Sequence, residues 1–471
     1  MVYDAVIVGA GPNGLAAAIA LARAGRRVLL VEANDRIGGG LASAELTLPG
    51  FVHDIGSAVH PFGVGSSFFR SLPLERFGLR WVHPAIPLAH PLDGGGAALL
   101  HRSLDATAAG LGADGRGYRA LFAAATRDWE HIAADGLGPP KLPRHPLALA
   151  GFGARALWPA SWVARLLFGT APARALFGGL AAHACLPLDT PATTAVALTL
   201  GTLGHVFGWP VPQGGAQRFA DALAAYFRAL GGEIVVGQRV SDLATLPPRR
   251  ATLLDLAPQQ VLDLAGGRFP DSYRRALARF RHGPGIFKLD WALDAPIPWA
   301  APPARLAGTV HLGGTLEELE AAERAPWLGQ THPRPYVLLA QPTIADPSRA
   351  PVGKHTAWAY CHIPRGGEQD MTAAIEAQIE RFAPGFGQRI IARRATGPAA
   401  LERYDANLIG GDITGGVSDL GQLLTRPVVS LDPYATPLPG LFLCSASTPP
   451  GPGVHGLCGF YAAQSVLRYL R

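Results

Sequence analysis

A short strand, a glycine-rich turn and a helix follow one another at the N-terminus, and this succession constrains the fold more than any other feature. The apolar run Tyr3–Val8 has the length of a strand. Gly9 to Gly14 (GAGPNG) follows it and opens the helical pattern Leu15–Ala24. In such a unit the first glycine permits the tight turn, the second lets a pyrophosphate approach the backbone, and the third lets helix and strand pack closely. The sequence therefore predicts a Rossmann-like α/β domain that binds a dinucleotide.

An acidic residue ends the second predicted strand. Arg27–Val31 is an apolar run of strand length, and Glu32 follows it, eighteen residues after Gly14. A carboxylate at this distance can accept hydrogen bonds from both hydroxyl groups of a ribose. The spacing fits an unphosphorylated ribose.

A second glycine turn lies just beyond the acid, at Arg36-Ile-Gly38-Gly39. GxGxxG, then Glu, then a GG pair resembles the two-dinucleotide-binding motif of flavoproteins, in which the GG pair passes beneath the pyrophosphate. The resemblance implies FAD rather than a nicotinamide nucleotide. A flexible loop is the other interpretation of Gly38–Gly40. The GxGxxG spacing recurs at Gly110–Gly115 and Gly451–Gly456, but neither directly follows a predicted strand, so a pyridine nucleotide has no evident site.

The composition indicates two closely joined domains. The chain has 471 residues, which is more than one hydrophobic core usually organises. It is 48% hydrophobic and 16% charged, with a mean hydropathy of +0.18, and this excludes a disordered protein. The net charge of +6 is spread along the chain, so we expect no nucleic-acid partner, whereas a weak attraction to anionic membranes stays open.

The cysteines Cys185, Cys361, Cys444 and Cys458 have no CxxC spacing, which argues against a zinc site and a dithiol redox pair. We expect buried thiols in a reducing compartment. The N-terminal apolar run has no basic region before it, so we expect no signal peptide. The uncharged stretch 191–212 contains threonines, a histidine and glycines, which favours a buried helix over a membrane span. A cytoplasmic location follows, with association to a membrane left open.

The segment Leu147–Phe168 has two interpretations. Trp158 and Trp162 are interspersed with arginines, so the segment could lie on a membrane surface with its arginines reaching the headgroups. A core-facing pair of helices is the interpretation that we favour, because Pro159 would interrupt a long amphipathic helix.

A second helix and strand follow Val211-Pro-Gln-Gly-Gly215. Apolar residues recur at helical spacing over Phe219–Leu230, glycines end the helix, and Glu233–Val236 reads as a strand. In flavoproteins that share the N-terminal motif, this strand returns the chain to the dinucleotide domain. The resemblance places Val240 behind the adenine.

The strand predicted at Gly283–Leu293 alternates with period two, so Lys288 and Asp290 would form a polar face. Gly-x-x-Lys leading to Pro296-Ile-Pro-Trp299 is similar to the flavin amine oxidase strand whose lysine holds a water near flavin N5. Lys288 is therefore a candidate catalytic residue. A simple ion pair between Lys288 and Asp290 on a sheet face is the alternative.

The C-terminal residues predict a strand from Gly440, a glycine-rich loop over Pro449–Gly456 and a final helix over Leu457–Leu470. In flavoproteins with the same N-terminal motif, such a helix begins beneath the isoalloxazine, where its N–H groups stabilise negative charge at N1 and O2. We predict that His455, in this loop, contacts the pyrimidine side of the flavin or the substrate as a neutral ring. Hydrogen bonding to the loop backbone alone is the other interpretation of His455.

Several longer stretches carry a specific family resemblance. GAGPNGLAAAIALARAG with VEANDRIGG, VPQGG, and SASTPPGPGVHGLCG together resemble the phytoene-desaturase-like FAD-dependent oxidoreductases. HPFGVGS, AHACLPL, FKLDWALDAPIPW, GKHTAWAYCHIP and IERFAPGF resemble the pyridine-nucleotide-disulfide-oxidoreductase-domain 2 branch, over nearly the whole chain. The disulfide chemistry in that name has no counterpart in this sequence. Carotenoid desaturases proper have a proline where this chain has His455, which weighs against a carotene substrate.

The catalytic candidates are His455 and Lys288, and no metal ligands are expected, since motifs such as HExxH are absent from the sequence. The residues that the motifs and the resemblance assign to FAD are Gly9, Gly11, Pro12, Asn13, Gly14, Glu32, Ala33, Arg36, Gly38, Gly39, Gly40, Leu41, Ser57, Val240, Ser445, Gly453, Val454, His455, Gly456 and Leu457.

The predicted architecture is a discontinuous FAD-binding domain (1–75, 211–260 and 425–471) with a mixed α+β substrate domain (76–210 and 261–424). The resemblance implies hydride transfer between an apolar substrate and flavin N5, as a desaturase, dehydrogenase or saturase, with oxygen or a quinone as electron acceptor. A flavin amine-oxidase-like enzyme is one alternative. A non-catalytic, flavin-stabilised interaction or lipid-binding protein is another. The sequence gives neither the substrate nor the oligomeric state.

Overall fold

The computed structural model describes residues 2–471. Its strands are β1 (Tyr3–Val8), β2 (Val28–Val31), β3 (Ser43–Glu45), β4 (Val52–Asp54), β5 (Trp81–Val82), β6 (Ile86–Pro91), β7 (Ala97–Leu100), β8 (Val211–Pro212), β9 (Glu233–Val235), β10 (Arg249–Leu254), β11 (Gly285–Leu293), β12 (Ala307–Leu312), β13 (Val337–Ala340), β14 (His355–Ile363), β15 (Ile390–Thr396) and β16 (Leu441–Leu443).

The helices are α1 (Pro12–Arg23), α2 (Pro61–Gly65), α3 (Ser67–Arg70), α4 (Leu104–Gly110), α5 (Gly115–Arg127), α6 (Trp129–Gly136), α7 (Pro146–Ala156), α8 (Ala160–Leu167), α9 (Ala171–Ala182), α10 (Thr193–Val206), α11 (Gln217–Ala229), α12 (Pro258–Ala265), α13 (Asp271–Ala278), α14 (Leu316–Arg324), α15 (Pro342–Ala345), α16 (Thr372–Phe382), α17 (Pro398–Tyr404), α18 (Leu420–Thr425) and α19 (Leu457–Tyr469).

A parallel sheet organises the first half of the fold, with strand order β16-β10-β1-β2-β9. Both faces of this sheet are covered, which is why its strands are apolar throughout rather than alternating. Ala5 and Ile7 face the cluster that contains α1, α11 and α19, whereas Val6 and Val8 face α12 and α13. This is the Rossmann-like α/β domain that the N-terminal motif predicts.

The helix that follows the first glycine turn begins with Pro12 after Gly11 and is rich in alanine. These small side chains allow α19 to pack directly against α1. A Cβ on Gly459 of α19 would lie 1.8 Å from the Asn13 backbone oxygen, so glycine is required at this contact. The close packing places the start of the C-terminal helix beside the start of the N-terminal helix.

The strands of the parallel sheet fall within the predicted dinucleotide-binding ranges. The helix α12 begins at Pro258, continues past the predicted boundary at residue 260, and contributes Val261 and Ala265 to the core on one face of this sheet. The segment therefore reaches further into the chain than the motif spacing predicts.

A larger, mostly antiparallel sheet forms the second half, with strand order β15-β11-β14-β13-β12-β6-β7. One face packs on the helices α5, α8, α9, α10 and α14, and the other packs on α16. Lys288 and Asp290 share one face of β11, as predicted, but both faces of the strand are covered. Lys288 and Asp290 are 3% and 0% exposed.

The two stretches considered above as possible membrane segments, 191–212 and 147–168, differ in burial. The helix α10 is buried, as the sequence predicts for residues 191–212. The preferred interpretation of Leu147–Phe168 is only half correct, because α8 buries Val163 and Ala164 while α7 buries little besides Ala156. No helix within residues 2–471 is long and apolar enough to cross a membrane.

Candidate functional site

A cleft of about 320 Å³ lies at the carboxyl ends of β1, β2 and β10. Open parallel sheets bind their ligands at this edge, outside the ends of the strands. Predicted cofactor-binding residues form much of the wall, namely Gly9, Gly11, Glu32, Ala33, Gly39 and Val240. The structure thus brings together residues from three separate parts of the sequence.

The first glycine turn has the geometry that its sequence predicts. Gly9 has a φ of +103°, a backbone conformation that disfavours a side chain. A Cβ on Gly14 would lie 1.9 Å from the Gly9 carbonyl oxygen. Pro12 and Asn13 form the first turn of α1 behind these glycines. The turn therefore presents bare backbone to the cleft.

The second glycine turn is held against the first one. The N–H of Gly38 donates to the Ala10 carbonyl over 3.0 Å, and a Cβ on Gly39 would lie 3.2 Å from the Gly11 Cα. The N–H of Ser57 donates to the Gly40 carbonyl over 2.9 Å. The two turns share one wall, and the flexible-loop interpretation of Gly38–Gly40 does not fit this packing.

Glu32 is buried at the end of β2 and already accepts two backbone hydrogen bonds. Its Oε2 accepts from the Ala10 N–H over 2.7 Å, and its Oε1 accepts from the Asn34 N–H over 2.9 Å. These bonds fix the carboxylate between the first turn and the strand end. Each oxygen keeps a lone pair for a further donor such as a ribose hydroxyl.

Asp255 is an acid of the cleft that the sequence reasoning missed. Its Oδ2 accepts from the Gly14 N–H over 2.8 Å, at the start of α1. Burial is the largest cause that raises the pKa of Asp255, to about 8; the Gly14 hydrogen bond opposes the rise, and the nearby Asp405 and Glu32 contribute to it. Asp255 is therefore largely protonated at neutral pH. Its position directly after β10, at the ligand-binding edge, is the signal that could have identified it.

The segment Tyr404–Asn407 closes one side of the cleft, although it belongs to the range predicted as substrate domain. The Tyr404 hydroxyl donates to the Gly39 carbonyl over 3.0 Å, and the Asn407 amide donates to the Asp255 carbonyl over 2.9 Å. Nothing local in its sequence resembles a nucleotide motif. Only the tertiary fold brings this segment to the glycine turns.

His455 lies in the loop that opens α19 and is 1% exposed. Its Nδ1 accepts from the Leu457 N–H over 3.0 Å, which leaves the ring proton on Nε2. Within residues 2–471 that Nε2 atom has no hydrogen-bonding partner. Burial lowers the pKa of His455 to about 4 against an opposing effect of the Gly451 and Pro452 carbonyls. The ring is neutral, as predicted for the group that would act on flavin or substrate.

Lys288 sits on the larger sheet and is engaged by Asp290. Its Nζ is 2.5 and 2.6 Å from the two carboxylate oxygens of Asp290 and 5.4 Å from the centre of the Trp358 ring. His53 lies 3.6 Å from the same carboxylate, and burial together with Lys288 and Arg349 lowers the His53 pKa to about 3. The structure thus contains the ion pair of the simpler interpretation, but buried rather than on a surface.

The remaining predicted residues lie around the cleft without forming its wall. Arg36 is exposed and donates to the Ser43 carbonyl over 2.7 Å, and Ser445 donates to the Leu256 carbonyl over 2.8 Å. Leu41 is buried behind the second turn. The loop residues Gly453, Val454, Gly456 and Leu457 surround His455 at the start of α19. No cluster of His, Cys, Asp or Glu in residues 2–471 is arranged to hold a metal ion.

Comparisons of sequence place the chain among known proteins. A family model described as an NAD(P)-binding Rossmann-like domain matches residues 7–72. The pyridine nucleotide-disulfide oxidoreductase domain-containing protein 2 of Rattus norvegicus is 27% identical, in an alignment that covers 100% of this chain and 94% of that protein. The lycopene-forming phytoene desaturase of Pseudescherichia vulneris is 25% identical over 60% of this chain and 61% of its own length.

Comparisons of structure agree on the fold. A crystal structure of an oxidoreductase from Methanosarcina mazei has a TM-score of 0.62 at 16% identity, covering 98% of this chain and 99% of that one. A putrescine oxidase has a TM-score of 0.63 at 19% identity, covering 99% of both chains. The predicted family resemblance and the α/β fold class are confirmed. The relatives are oxidoreductases, and the prediction of an oxidoreductase enzyme is confirmed at that level.

Proposed function

We propose that this chain is an FAD-dependent oxidoreductase that moves a hydride between an apolar substrate and the flavin. The observation that carries the proposal is the cleft wall itself, in which the first glycine turn, the GG turn and Glu32 stand together. The bare backbone of the two turns leaves room for a pyrophosphate, and the Glu32 carboxylate lies where ribose hydroxyls would donate. The residues present therefore fit the dinucleotide.

Bound FAD would supply a hydride-accepting N5 atom. Gly9, Gly11 and Gly39 would face its pyrophosphate, and Glu32 would accept from its ribose. His455 would hold its Nε2 proton toward the oxygen that gains negative charge. The buried, unpaired Nε2 of His455 supports this assignment, because buried polar atoms in folded proteins normally have a partner.

The apolar substrate class is supported by the face of the large sheet that meets the helices. Ile286, Leu338, Trp358 and Tyr360 belong to the apolar cluster on this face. The charged pair Lys288–Asp290 is internally neutralised there. Two relatives are named for the hydrocarbons phytoene and limonene, the second being 32% identical over 102 residues.

An amine-oxidase-like reaction is the second candidate. Two solved structures with this fold are a putrescine oxidase and a cyclohexylamine oxidase. Against this candidate, Lys288 gives two of its three N–H donors to Asp290 and is buried in that ion pair, which is the structural role that the simpler interpretation assigns to it. We therefore rank hydride transfer at an apolar carbon first.

Anaerobic mixing of the purified protein with candidate donors distinguishes these functions. We expect apolar compounds with a saturated carbon–carbon bond next to a double bond to bleach the flavin absorbance, whereas primary amines, NADH and NADPH leave it unchanged. Rapid bleaching by amines would favour the second candidate, and rapid bleaching by NADPH would reveal a nicotinamide site. A photoreduced flavin that neither oxygen nor a quinone reoxidises would instead indicate a non-catalytic protein.

Asp255 should make FAD binding depend on pH. The protonated acid is neutral beside Gly11 and Gly14, but ionisation above pH 8 places a negative charge next to the pyrophosphate. The affinity for FAD should be constant below about pH 8 and should fall by up to about tenfold per pH unit above it. Equilibrium titrations between pH 6.5 and 9.5 measure this. Asp255→Asn should abolish the fall, and Asp263→Asn, at the exposed rim of the same cleft, should retain it. Equal pH profiles for wild type and Asp255→Asn would show that Asp255 does not titrate there.

We propose further that α7 and α8 contact an anionic lipid surface. Leu147, Trp162 and Leu166 are 88%, 58% and 83% exposed, which is unusual for large apolar side chains in one short segment. Residues 136–188 contain five basic and no acidic residues. Arg165 is paired with Glu320 of α14, and the half-buried Arg174 donates to the Phe168 carbonyl, which leaves the exposed Lys141, Arg144 and Arg155 to face lipid headgroups. Such a surface suits an enzyme that draws an apolar substrate from a membrane.

Co-sedimentation with lipid vesicles tests the membrane contact. The double variant Trp162→Ser, Leu166→Ser should bind vesicles containing anionic lipid at least about tenfold more weakly, since two inserted apolar side chains are lost. The double variant Val352→Ser, Val429→Ser is the control, because these residues are equally exposed outside the segment. Equal binding by wild type and the Trp162 variant, or none by wild type, would contradict the contact.

A further inference from the structure

Three buried side chains, all within the ranges predicted as substrate domain, form a line of hydrogen bonds that the proposed flavin chemistry does not use. Cys185 Sγ lies 3.2 Å from His362 Nε2. On the other side of the ring, Nδ1 lies 2.9 and 2.8 Å from the two carboxylate oxygens of Glu323. Cys185 follows α9, His362 lies on β14 and Glu323 lies on α14. A nucleophile, a base and an acid that orients the base are therefore brought together from distant parts of the chain.

The backbone of Cys185 is in an unusual conformation. Its φ of +53° is in the left-handed region, which within residues 2–471 only one other non-glycine residue, Ala192, adopts. The Trp327 indole donates to the Cys185 carbonyl over 3.1 Å and fixes this turn. The sulfur also lies 3.8 Å from the His183 carbonyl, a longer contact than the one to His362. Such strained residues are enriched at functional sites.

The electrostatics favour a charged imidazole at this position. Burial alone would lower the pKa of His362, but the Cys185 sulfur and the Glu323 carboxylate outweigh it and hold the pKa well above its usual value. The other titratable groups around the ring are neutral. Burial and the charge on His362 lower the pKa of His183 to about 3, and burial raises the pKa of Tyr336 and Tyr360.

Apolar and aromatic side chains surround the site, whose residues Cys185, His362 and Glu323 are 6%, 4% and 2% exposed. Ala184 and Leu186, on either side of Cys185, pack against Val417. On β14, the Tyr360 ring lies 5.6 Å from the His362 ring, on the sheet face that meets the helices. The neighbouring Cys361 points to the opposite face, where burial raises the pKa of its thiol. Cys185 is therefore distinguished from the other buried cysteines by its histidine.

We propose that Cys185, His362 and Glu323 form a site in which the Cys185 sulfur adds covalently to α,β-unsaturated carbonyl compounds. The site goes beyond the flavin reaction and needs no residue of the dinucleotide cleft. Cys185 is the nucleophile, and Glu323 is a positioning residue that acts through His362.

The addition uses only the sulfur of Cys185, the proton on His362 and the compound that is bound. The Cys185 sulfur lone pair forms an S–C bond to the β-carbon, and the π electrons of the carbon–carbon double bond move toward the carbonyl group. The proton on His362 Nε2 then passes to the α-carbon. No bond to a leaving group breaks, and no oxidant, reductant or water is consumed. An acyl transfer would need a leaving group and a hydrolytic water in addition.

N-ethylmaleimide is the probe that tests this site, because its carbon–carbon double bond is polarised by the two carbonyl groups beside it. The flavin-containing protein is treated with one equivalent at pH 6, and peptide mass spectrometry locates the adduct over time. We expect Cys185 to react at least about tenfold faster than Cys361, Cys444 or Cys458.

Substitutions separate the roles. Cys185→Ser should remove the fast adduct. Glu323→Gln should slow it by at least about tenfold and make the rate more sensitive to pH, because the Glu323 carboxylate helps to hold the pKa of His362 high. Cys361→Ser, on the strand that carries His362, and Glu320→Gln, on the helix that carries Glu323, should keep the wild-type rate. The ratio of the wild-type rates at Cys185 and Cys361 decides the question even if Glu323→Gln fails to fold. Equal labelling of all cysteines, no adduct at Cys185 at pH 8, or a wild-type rate in folded Glu323→Gln would overturn the proposal.

Discussion

Replacing His455 with alanine should slow reduction of the bound flavin by about 10²–10³-fold while the FAD content stays near that of the wild type. The Leu457 N–H donates to Nδ1, so Nε2 carries the proton of a neutral ring. A buried donor aimed at an atom that gains charge during a reaction accounts for rate losses of this size when it is removed. Stopped-flow absorbance under anaerobic conditions measures the rate with the best donor found.

Two conservative variants distinguish this role from loop architecture. In His455→Asn the side-chain oxygen can still accept from the Leu457 N–H, but the donor at the Nε2 position is lost. In His455→Gln an amide N–H reaches toward that position. We expect His455→Asn to be as slow as the alanine variant and His455→Gln to recover part of the rate. If His455→Asn reduces its flavin at the wild-type rate and keeps the wild-type reduction potential of the flavin, His455 serves only to hold the loop backbone. Lys288 would then be the next group to test.

Replacing Glu32 with alanine should weaken FAD binding by about 10–100-fold, corresponding to roughly 1–3 kcal/mol for unpaired hydrogen-bonding groups. The change removes the acceptor for the ribose hydroxyls. It also leaves the N–H groups of Ala10 and Asn34 without their partner, so the free energy of unfolding should fall as well. Rebinding of FAD to the stripped protein, followed by flavin fluorescence, gives the dissociation constant.

The matched control for Glu32 is Asp35→Ala, three residues further along the same turn. Asp35 is exposed and is not part of the cleft wall, so its removal should leave the affinity within about twofold. An unchanged affinity in Glu32→Ala would mean that the ribose binds elsewhere.

The parts of the site that could be predicted from the sequence are those with local spacing rules. The first glycine turn follows a strand and opens a helix, and each of its glycines meets a steric demand that the structure displays, such as the 1.9 Å approach at Gly14. Glu32 could be predicted for the same reason, since the length of one helix and one strand fixes its distance from the turn. The family resemblance extended this reading to the C-terminal loop around His455.

The parts that could not be predicted depend on contacts between distant segments. Asp255 and Tyr404 reach the cleft only because β10 and the end of α17 meet beside β1. The Cys185–His362 contact joins residues 177 positions apart, and neither residue belongs to a motif with a spacing rule. On β11 the alternation showed that Lys288 and Asp290 share a face, but alternation does not show what covers that face. His53 of β4, 3.6 Å from the Asp290 carboxylate, reaches this face only through the tertiary fold.

The central claim is most directly tested by identifying the dinucleotide that the purified protein releases on denaturation. Mass spectrometry and absorbance of the protein-free supernatant should show FAD, at about one molecule per chain, with no flavin left on the polypeptide. Recovery of FAD would fit the pairing of the two glycine turns with Glu32 in one cleft wall. Recovery of NAD, NADP or FMN in its place, or a protein that neither carries nor rebinds FAD, would contradict the account.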